Sequence, residues 1–390
     1  MTDTAVVTVF LRHRGEVLLL RRSNDVGSYP GKWGAVAGHL EDDDPRSAAL
    51  SEIEEEAGLA EHEVSLNWET AEAEWTSPTA LLRRDTVPDL WRSYRSVAPS
   101  IVDLTQDTDH GSSYLSLRAL EVLRDRAALL ATTDAPDIED ARARLLETAH
   151  RLLDARPSMA ALANRIHRVM HASHPEPTPA RVEENAHEAI GRAIDADTET
   201  ARRAANQVAG QRVLTLSRSG TVLDALRRAD PAPSVVVADS HPGREGIGVA
   251  ETLTQQGLDV TLIPDAAVAT TLTTGEIDAV LVGADTVHPS GCVVNKVGTR
   301  GAALAAHREA VPFYAACAID KISVEETTVS ETADPRSVYE GGIDLQVAAP
   351  RFDETPPEFM TGGIITERGT HPPDEIASLA DELEHLRTWT

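Results

Sequence analysis

From residue 208 to 390, short apolar runs alternate with amphipathic stretches. The runs are "RVLTL" (212–216), "SVVVAD" (234–239), "DVTLIP" (259–264), "DAVLVGAD" (278–285) and "VPFYAACA" (311–318). They are apolar on both faces, as strands of a parallel sheet covered by helices must be. Between them lie "GTVLDALRRA", "GIGVAETLTQQG" and "TRGAALAAHRE", with apolar residues at helical spacing. This alternation predicts a doubly wound, Rossmann-like parallel-sheet domain over 208–390. Residues 138–207 read as all-helical. "DIEDARARLLETAHRLLDA" and "SMAALANRIHRVMHA" carry that period, "SHPEPTPA" (173–180) interrupts it, and "RVEENAHEAIGRAI" resumes it. Residues 1–131 form another part. It opens on "AVVTVFLRHRGEVLLLRR", two strand-like runs joined by a turn at Arg14 and Gly15. A loop, "GSYPGKWG", an acidic helix and a closing helix, "SYLSLRALEVLRDRAALL", follow, and "ATTDAPD" links this part to the next. The aromatics of 75–100 read as core.

At 390 residues the chain is too long for one ordinary core. It has no apolar run long enough to span a membrane and no basic, apolar leader at its start, so a cytoplasmic location and no membrane partner are expected. Two cysteines, Cys292 and Cys317, exclude a disulfide framework or a Cys-rich zinc site.

Charge changes the picture more. There are 63 acidic residues against 36 basic ones, a net charge of −27. Such a surface repels phosphate backbones, so direct nucleic acid binding is not expected. It suits a halophilic protein working in molar salt, where self-repulsion is screened. Only Lys32, Lys296 and Lys321 are lysines.

In doubly wound sheets, ligands sit at the carboxyl ends of the strands. Those ends here carry Ser217, Arg218 and Ser219; Ser240, His241 and Arg244; Asp265; and Asp285. The chain after Asp285 returns with Asn295 and Lys296, and Gly298-Thr299 opens a helix. A helix start with a lysine nearby suits an anion. A phosphorylated ligand is therefore expected. Neither a P-loop nor GxGxxG follows the first strand, which argues against typical NTPase and NAD sites.

"GAD", "NKVGT", "VPFYAAC" and "RFDETPPEFMTGGIITERG", in order and with "ARPSMAALANRIHRVM" before them, resemble the translation initiation factor 2B alpha, beta and delta family. That family includes ribose-1,5-bisphosphate and methylthioribose-1-phosphate isomerases. The resemblance spans roughly 145–380. It implies that Asp285 is the family's catalytic Asp and that Asn295 and Lys296 anchor the ligand; Thr299 and Lys321 are further candidate ligand-binding residues. It also implies a homodimer. The family's catalytic Cys falls at Ser217, and a hydroxyl cannot serve as the low-pKa acid. The arginine of its "SRP" motif is His241, and no "RGA" motif opens the helical domain.

"GHLEDDDPRSAALSEIEEEAGL" (38–59) resembles the Nudix box, implying a Nudix-like α/β/α sandwich. Glu52, Glu55 and Glu56 match its three helical glutamates and fall on one helix face. They would hold Mg²⁺ across a diphosphate, with Glu55 catalytic. The box is one residue short, Ser51 replaces its arginine, Asp43 or a neighbour replaces its early Glu, and few residues separate Leu59 from Trp75.

Three readings follow. One is a two-module protein that binds a phosphorylated sugar or nucleotide C-terminally and hydrolyses nucleoside diphosphate derivatives N-terminally. The second is an aldose–ketose isomerase. The third is a non-enzymatic initiation-factor-like subunit.

Overall fold

A computed structural model describes residues 6–39, 46, 49, 66–132, 137–327 and 331–389. The chain divides into two compact units. The first is Met1–Leu104, Arg118–Arg151 and Ser173–Gly191, and the second is Thr105–Leu117, Leu152–Ala172 and Arg192–Thr390. The strands of the N-terminal part are β1 (Val6–Val9), β2 (Arg12–His13), β3 (Glu16–Arg22), β4 (Trp33–Gly34), β5 (Val36–His39) and β6 (Thr70–Thr76). Helices α1 (Leu90–Val97), α2 (Ile101–Gln106), α3 (Ser112–Thr132), α4 (Ile138–Ala155), α5 (Ala160–Ser173) and α6 (Pro179–Val208) follow. The last of these continues without a break through the polar stretch 195–200, beyond the segment that its apolar period marks.

In the first unit, β3 pairs antiparallel with β2, β4 and β6. Its hairpin with β2 turns on Arg14 (φ +50°) and Gly15 (φ +82°). Two left-handed residues give the turn whose twist matches a hairpin. The fully buried Arg124 donates to the Gly15 carbonyl (2.7 Å) and pairs with Asp125 (2.8 Å), which also accepts the Tyr94 hydroxyl (2.9 Å). Alternate residues of β3 pack in opposite directions. Val17 and Leu19 meet Leu81, Leu90 and Tyr94, with Trp33 and Trp91 beside them, while Leu18 and Leu20 meet Val36. Of the aromatics of 75–100, Tyr94 is core, as expected, and Trp91 packs half-buried against it.

The second unit is built on β7 (Arg212–Leu216), α7 (Gly220–Arg228), β8 (Ser234–Ala238), α8 (Glu245–Gln255), β9 (Val260–Ile263), α9 (Val268–Leu272) and β10 (Ala279–Gly283). Then come β11 (Thr286–Val287), β12 (Val293–Lys296), α10 (Thr299–Arg308), β13 (Phe313–Ala316), β14 (Phe352–Thr355), β15 (Gly363–Thr366), β16 (Gly369–His371) and α11 (Ile376–Glu384). The main sheet runs β16-β15-β13-β10-β7-β8-β9. Six strands are parallel, and only β16 runs against its neighbour β15. Counted along the chain, the parallel strands lie in the order 3-2-1-4-5-6. Apolar clusters fill both faces: Leu214, Val236, Val280 and Phe313 on one, Val213, Val235, Leu281 and Ile365 on the other. That is why these strands read as continuous apolar runs. No helix among the described residues is long and apolar enough to cross a membrane.

Candidate functional site

The strand order places a topological switch point between β7 and β10, where successive connections leave the sheet on opposite sides. Doubly wound sheets open a crevice there. Ser217, Arg218 and Ser219 leave the end of β7, and Gly283, Ala284 and Asp285 leave the end of β10. All six line a cavity of about 300 Å³. A smaller one of about 80 Å³ shares His110, Gly111, Ser217, Arg218 and Asp285 with it. Gly283 permits the close approach, since a Cβ there would stand 2.6 Å from Ser219 Oγ. Ser219 caps α7 by accepting the Val222 N–H (3.4 Å).

Asp285 carries the electrostatics. Burial pushes its carboxyl above the ordinary range, against the opposing pull of Lys321, Lys296 and Arg351, and Glu331 adds to the rise. Its N–H donates to the Val294 carbonyl (2.9 Å), so β12 folds back against it. Lys321 Nζ donates to the Ala284 carbonyl (2.7 Å), one residue from Asp285. The turn that carries Lys321 is clamped by α5. Asn164 donates to the Asp320 and Ile322 carbonyls (2.8 and 2.7 Å). Arg165 and Arg168 bond the Asp320 carboxylate (3.3 and 2.7 Å). Burial alone would raise Asp320, but the two guanidiniums outweigh it and hold the carboxyl below its ordinary value. The "ANRIHR" stretch thus positions the site without lining it.

Lys296 ends β12 and lines the smaller cavity, with its ammonium 2.5 Å from Glu245 Oε1. Asn295 lines the larger cavity and donates to Thr299 Oγ1 (3.0 Å), which in turn donates to the Lys296 carbonyl (2.6 Å). Thr299 is fully buried and lines neither cavity. One expectation is corrected here. The start of α10 already holds an anion of the chain's own. Asp353 accepts the Gly298 N–H (2.7 Å) and the Arg300 N–H (3.1 Å). A carboxylate on those donors satisfies the helix start that a ligand phosphate was expected to use.

Asp265, His241 and Arg244 lie outside both cavities. Asp265 accepts the backbone N–H groups of Ser240 (2.9 Å) and His241 (2.7 Å). Ser240 Oγ accepts the Ser217 N–H (2.6 Å), which braces Ser217 in a left-handed conformation (φ +65°). His241 and Arg244 are exposed and face Asp239 at 3.5 and 3.7 Å. These residues shape the loop that delivers Ser217.

Sequence reasoning missed much of the rim. Asp107, Asp109, His110, Arg156, Glu331 and Arg351 also line the smaller cavity. Their signals were present: Arg156 stands in "ARPSMAALANRIHRVM", Arg351 opens "RFDETPPEFM", and "DTDHGSS" is a polar turn ahead of a helix. Nothing local assigns them to a strand end.

Cys317 is fully buried and Cys292 half-buried, and neither lines the crevice. Burial pushes their thiols up to about 12 and about 11. Glu52, Glu55 and Glu56 lie outside the described residues. Among those described, no group of three or more His, Cys, Asp or Glu could hold a metal ion.

The profile of the Initiation factor 2 subunit family matches residues 108–373, and that of the NUDIX domain matches 1–128. The chain is 31% identical over 290 residues to ribose 1,5-bisphosphate isomerase of Haloferax volcanii, covering 70% of this chain and 88% of that protein. It is 29% identical over 331 residues to methylthioribose-1-phosphate isomerase of Geobacillus thermodenitrificans, covering 71% and 92%. Among solved structures, the translation initiation factor eIF-2B of Pyrococcus horikoshii is similar with a TM-score of 0.58 at 27% identity, covering 70% of this chain and 95% of that one.

Proposed function

Because the chain belongs to the Initiation factor 2 subunit family, we propose that its switch-point crevice binds a pentose phosphorylated at C1 and converts it to the ketose. The observation that carries this reading is Asp285: a carboxyl raised by burial, at the end of β10, faced by Lys321 and Lys296. A carboxyl so tuned can take and return a carbon-bound proton, and the ammonium groups favour an anionic substrate. Two relatives are named for ribose 1,5-bisphosphate and methylthioribose 1-phosphate, both ribose 1-phosphates, and this supports the substrate class. Full-length protein in molar KCl is incubated with each compound and the ketose followed by NMR. Ketose formation that disappears in Asp285→Ala supports the reading. Binding without turnover would leave a ligand-holding, initiation-factor-like protein instead.

A second activity rests on the NUDIX match at 1–128. Glu52, Glu55 and Glu56 would hold Mg²⁺, which would supply an activated water for diphosphate cleavage. Release of a nucleoside monophosphate from ADP-ribose that needs Mg²⁺ and is lost in Glu55→Gln would support it. Hydrolysis unchanged in that variant would refute it.

A further inference from the structure

We propose that His110, held by Asp107, is the acid–base partner of Asp285, in the role that a thiol plays in related isomerases and that Ser217 cannot fill. This rests on the isomerase reading above.

Ring opening and ketone formation need a group that gives a proton to oxygen and takes one back. Asp285 can serve carbon, and a second group must serve oxygen. Arginines at the rim stay protonated and cannot cycle. Lys296 and Lys321 each give one donor to the chain, to Glu245 and the Ala284 carbonyl, and keep the others for the phosphate, while Glu331 accepts from Ser158 Oγ. Asp109 and His110 are both exposed, but the Asp109 carboxylate accepts from Thr108 Oγ1 (3.5 Å) and its backbone carbonyl from Arg218. His110 remains, the one imidazole among the described residues that line either cavity, and it lines both. Imidazole exchanges protons near neutral pH.

The His110 side chain, 47% exposed, is held in place by its neighbours. Its Nδ1 lies 2.8 Å from Asp107 Oδ2, which leaves Nε2 for exchange. The other Asp107 oxygen accepts the N–H groups of Asp109 and His110, both at 2.9 Å. The ring stacks on Tyr114 with centroids 4.1 Å apart. Two arginines of the crevice tie the loop down: Arg351 donates to the Thr108 carbonyl and Arg218 to the Asp109 carbonyl, each at 2.7 Å. A histidine oriented by a carboxylate is the arrangement that fixes a working tautomer. His110 lies where the two profile matches overlap, 108–128.

The chemistry closes on these two groups. The C1–O4 bond of a furanose 1-phosphate breaks, its electron pair goes to O4, and O4 takes the proton of the imidazolium. The C2–H proton passes to Asp285, and the bonding pair becomes the C1=C2 double bond. Neutral His110 then takes the C2 hydroxyl proton while Asp285 returns its proton to C1. The ketone stands at C2, and both groups are as they began.

The test is the steady-state pH profile of ribose 1,5-bisphosphate conversion by full-length protein, His110→Gln and Asp107→Asn, with melting midpoints as a check on folding and binding. In His110→Gln, kcat falls roughly 10²- to 10⁴-fold with KM nearly unchanged, and the alkaline limb of the profile disappears. Asp107→Asn lowers kcat and keeps the limb, because the carboxylate that fixes the working tautomer at Nδ1 is gone while the imidazole remains. A His110→Gln enzyme within about fivefold of the unaltered kcat, or one that keeps the limb, overturns the assignment alone. If unaltered protein is stabilised by the bisphosphate yet forms no ketose, the isomerase reading fails and takes the assignment with it.

Discussion

Arg165→Leu tests whether α5 holds the site together. The Arg165 side chain is 1% exposed and its carboxylate partner Asp320 11%. The guanidinium also bonds Ser116 Oγ at 2.8 Å. Leucine would fill much of the space but leave Asp320 with Arg168 alone, at 2.7 Å. Breaking a buried pair costs about 3–5 kcal/mol, and the surviving Arg168 contact places the loss near 3 kcal/mol. For a unit of this size, each kcal/mol lowers the melting midpoint by roughly 2–4 °C, so a fall of about 6–12 °C is expected in calorimetry. The pH dependence has a definite sign. Asp320 is held below its ordinary value in the folded chain, so its pairing stabilises above the ordinary carboxylate range, and that contribution is lost as pH falls through the folded value. Loss of Arg165 removes the largest pull that lowers Asp320, so its folded value rises. The gap between the two proteins therefore widens as pH climbs through the carboxylate range. Lys321 sits next to Asp320, so the response to a phosphorylated ligand weakens as well. A fall below about 2 °C, or one abolished by raising KCl from 1 to 3 M, would refute the reasoning, because salt screens exposed pairs far more than buried ones.

Asp285→Asn should raise the melting midpoint of the ligand-free chain at pH 8. A carboxyl raised by burial destabilises the fold when ionised, a cost relieved only as pH falls through its folded value; an Asp285→Asn variant melting below the unaltered protein at pH 8 would contradict this. Conversion of ribose 1,5-bisphosphate should survive iodoacetamide at pH 8, because the Cys317 and Cys292 thiols are pushed up to about 12 and 11; rapid inactivation matched by alkylation of either cysteine would show that a thiol takes part.

The sheet was legible because a strand covered on both faces must be apolar throughout, and β7, β8, β10 and β13 are. The switch point follows from strand order, which sequence does not give, yet the strand-end rule named Ser217 and Asp285, and both line the crevice there. The helix-start reading did not foresee that the start of α10 is filled, because the carboxylate that fills it, Asp353, comes from a distant strand. The strand-end rule placed Asp265 among ligand groups because a loop-bracing carboxylate and a ligand-binding one look alike at a strand end. His110 and Asp107 escaped notice for another reason. They lie in a turn preceding α3, read as the edge of the N-terminal part, and only the folded chain brings that turn to the second unit's sheet. The Arg165–Asp320 pair joins residues 155 positions apart on elements that each read correctly alone.

The most direct test of the central claim is calorimetric titration of ribose 1,5-bisphosphate into the full-length chain in molar KCl, with Lys296→Met alongside. One-site binding is predicted, weakened roughly 10- to 100-fold in the variant, since a charge-assisted hydrogen bond contributes about 1.5–3 kcal/mol. Absence of binding to the unaltered chain, or equal affinity in the variant, would contradict the placement of a sugar phosphate in the switch-point crevice.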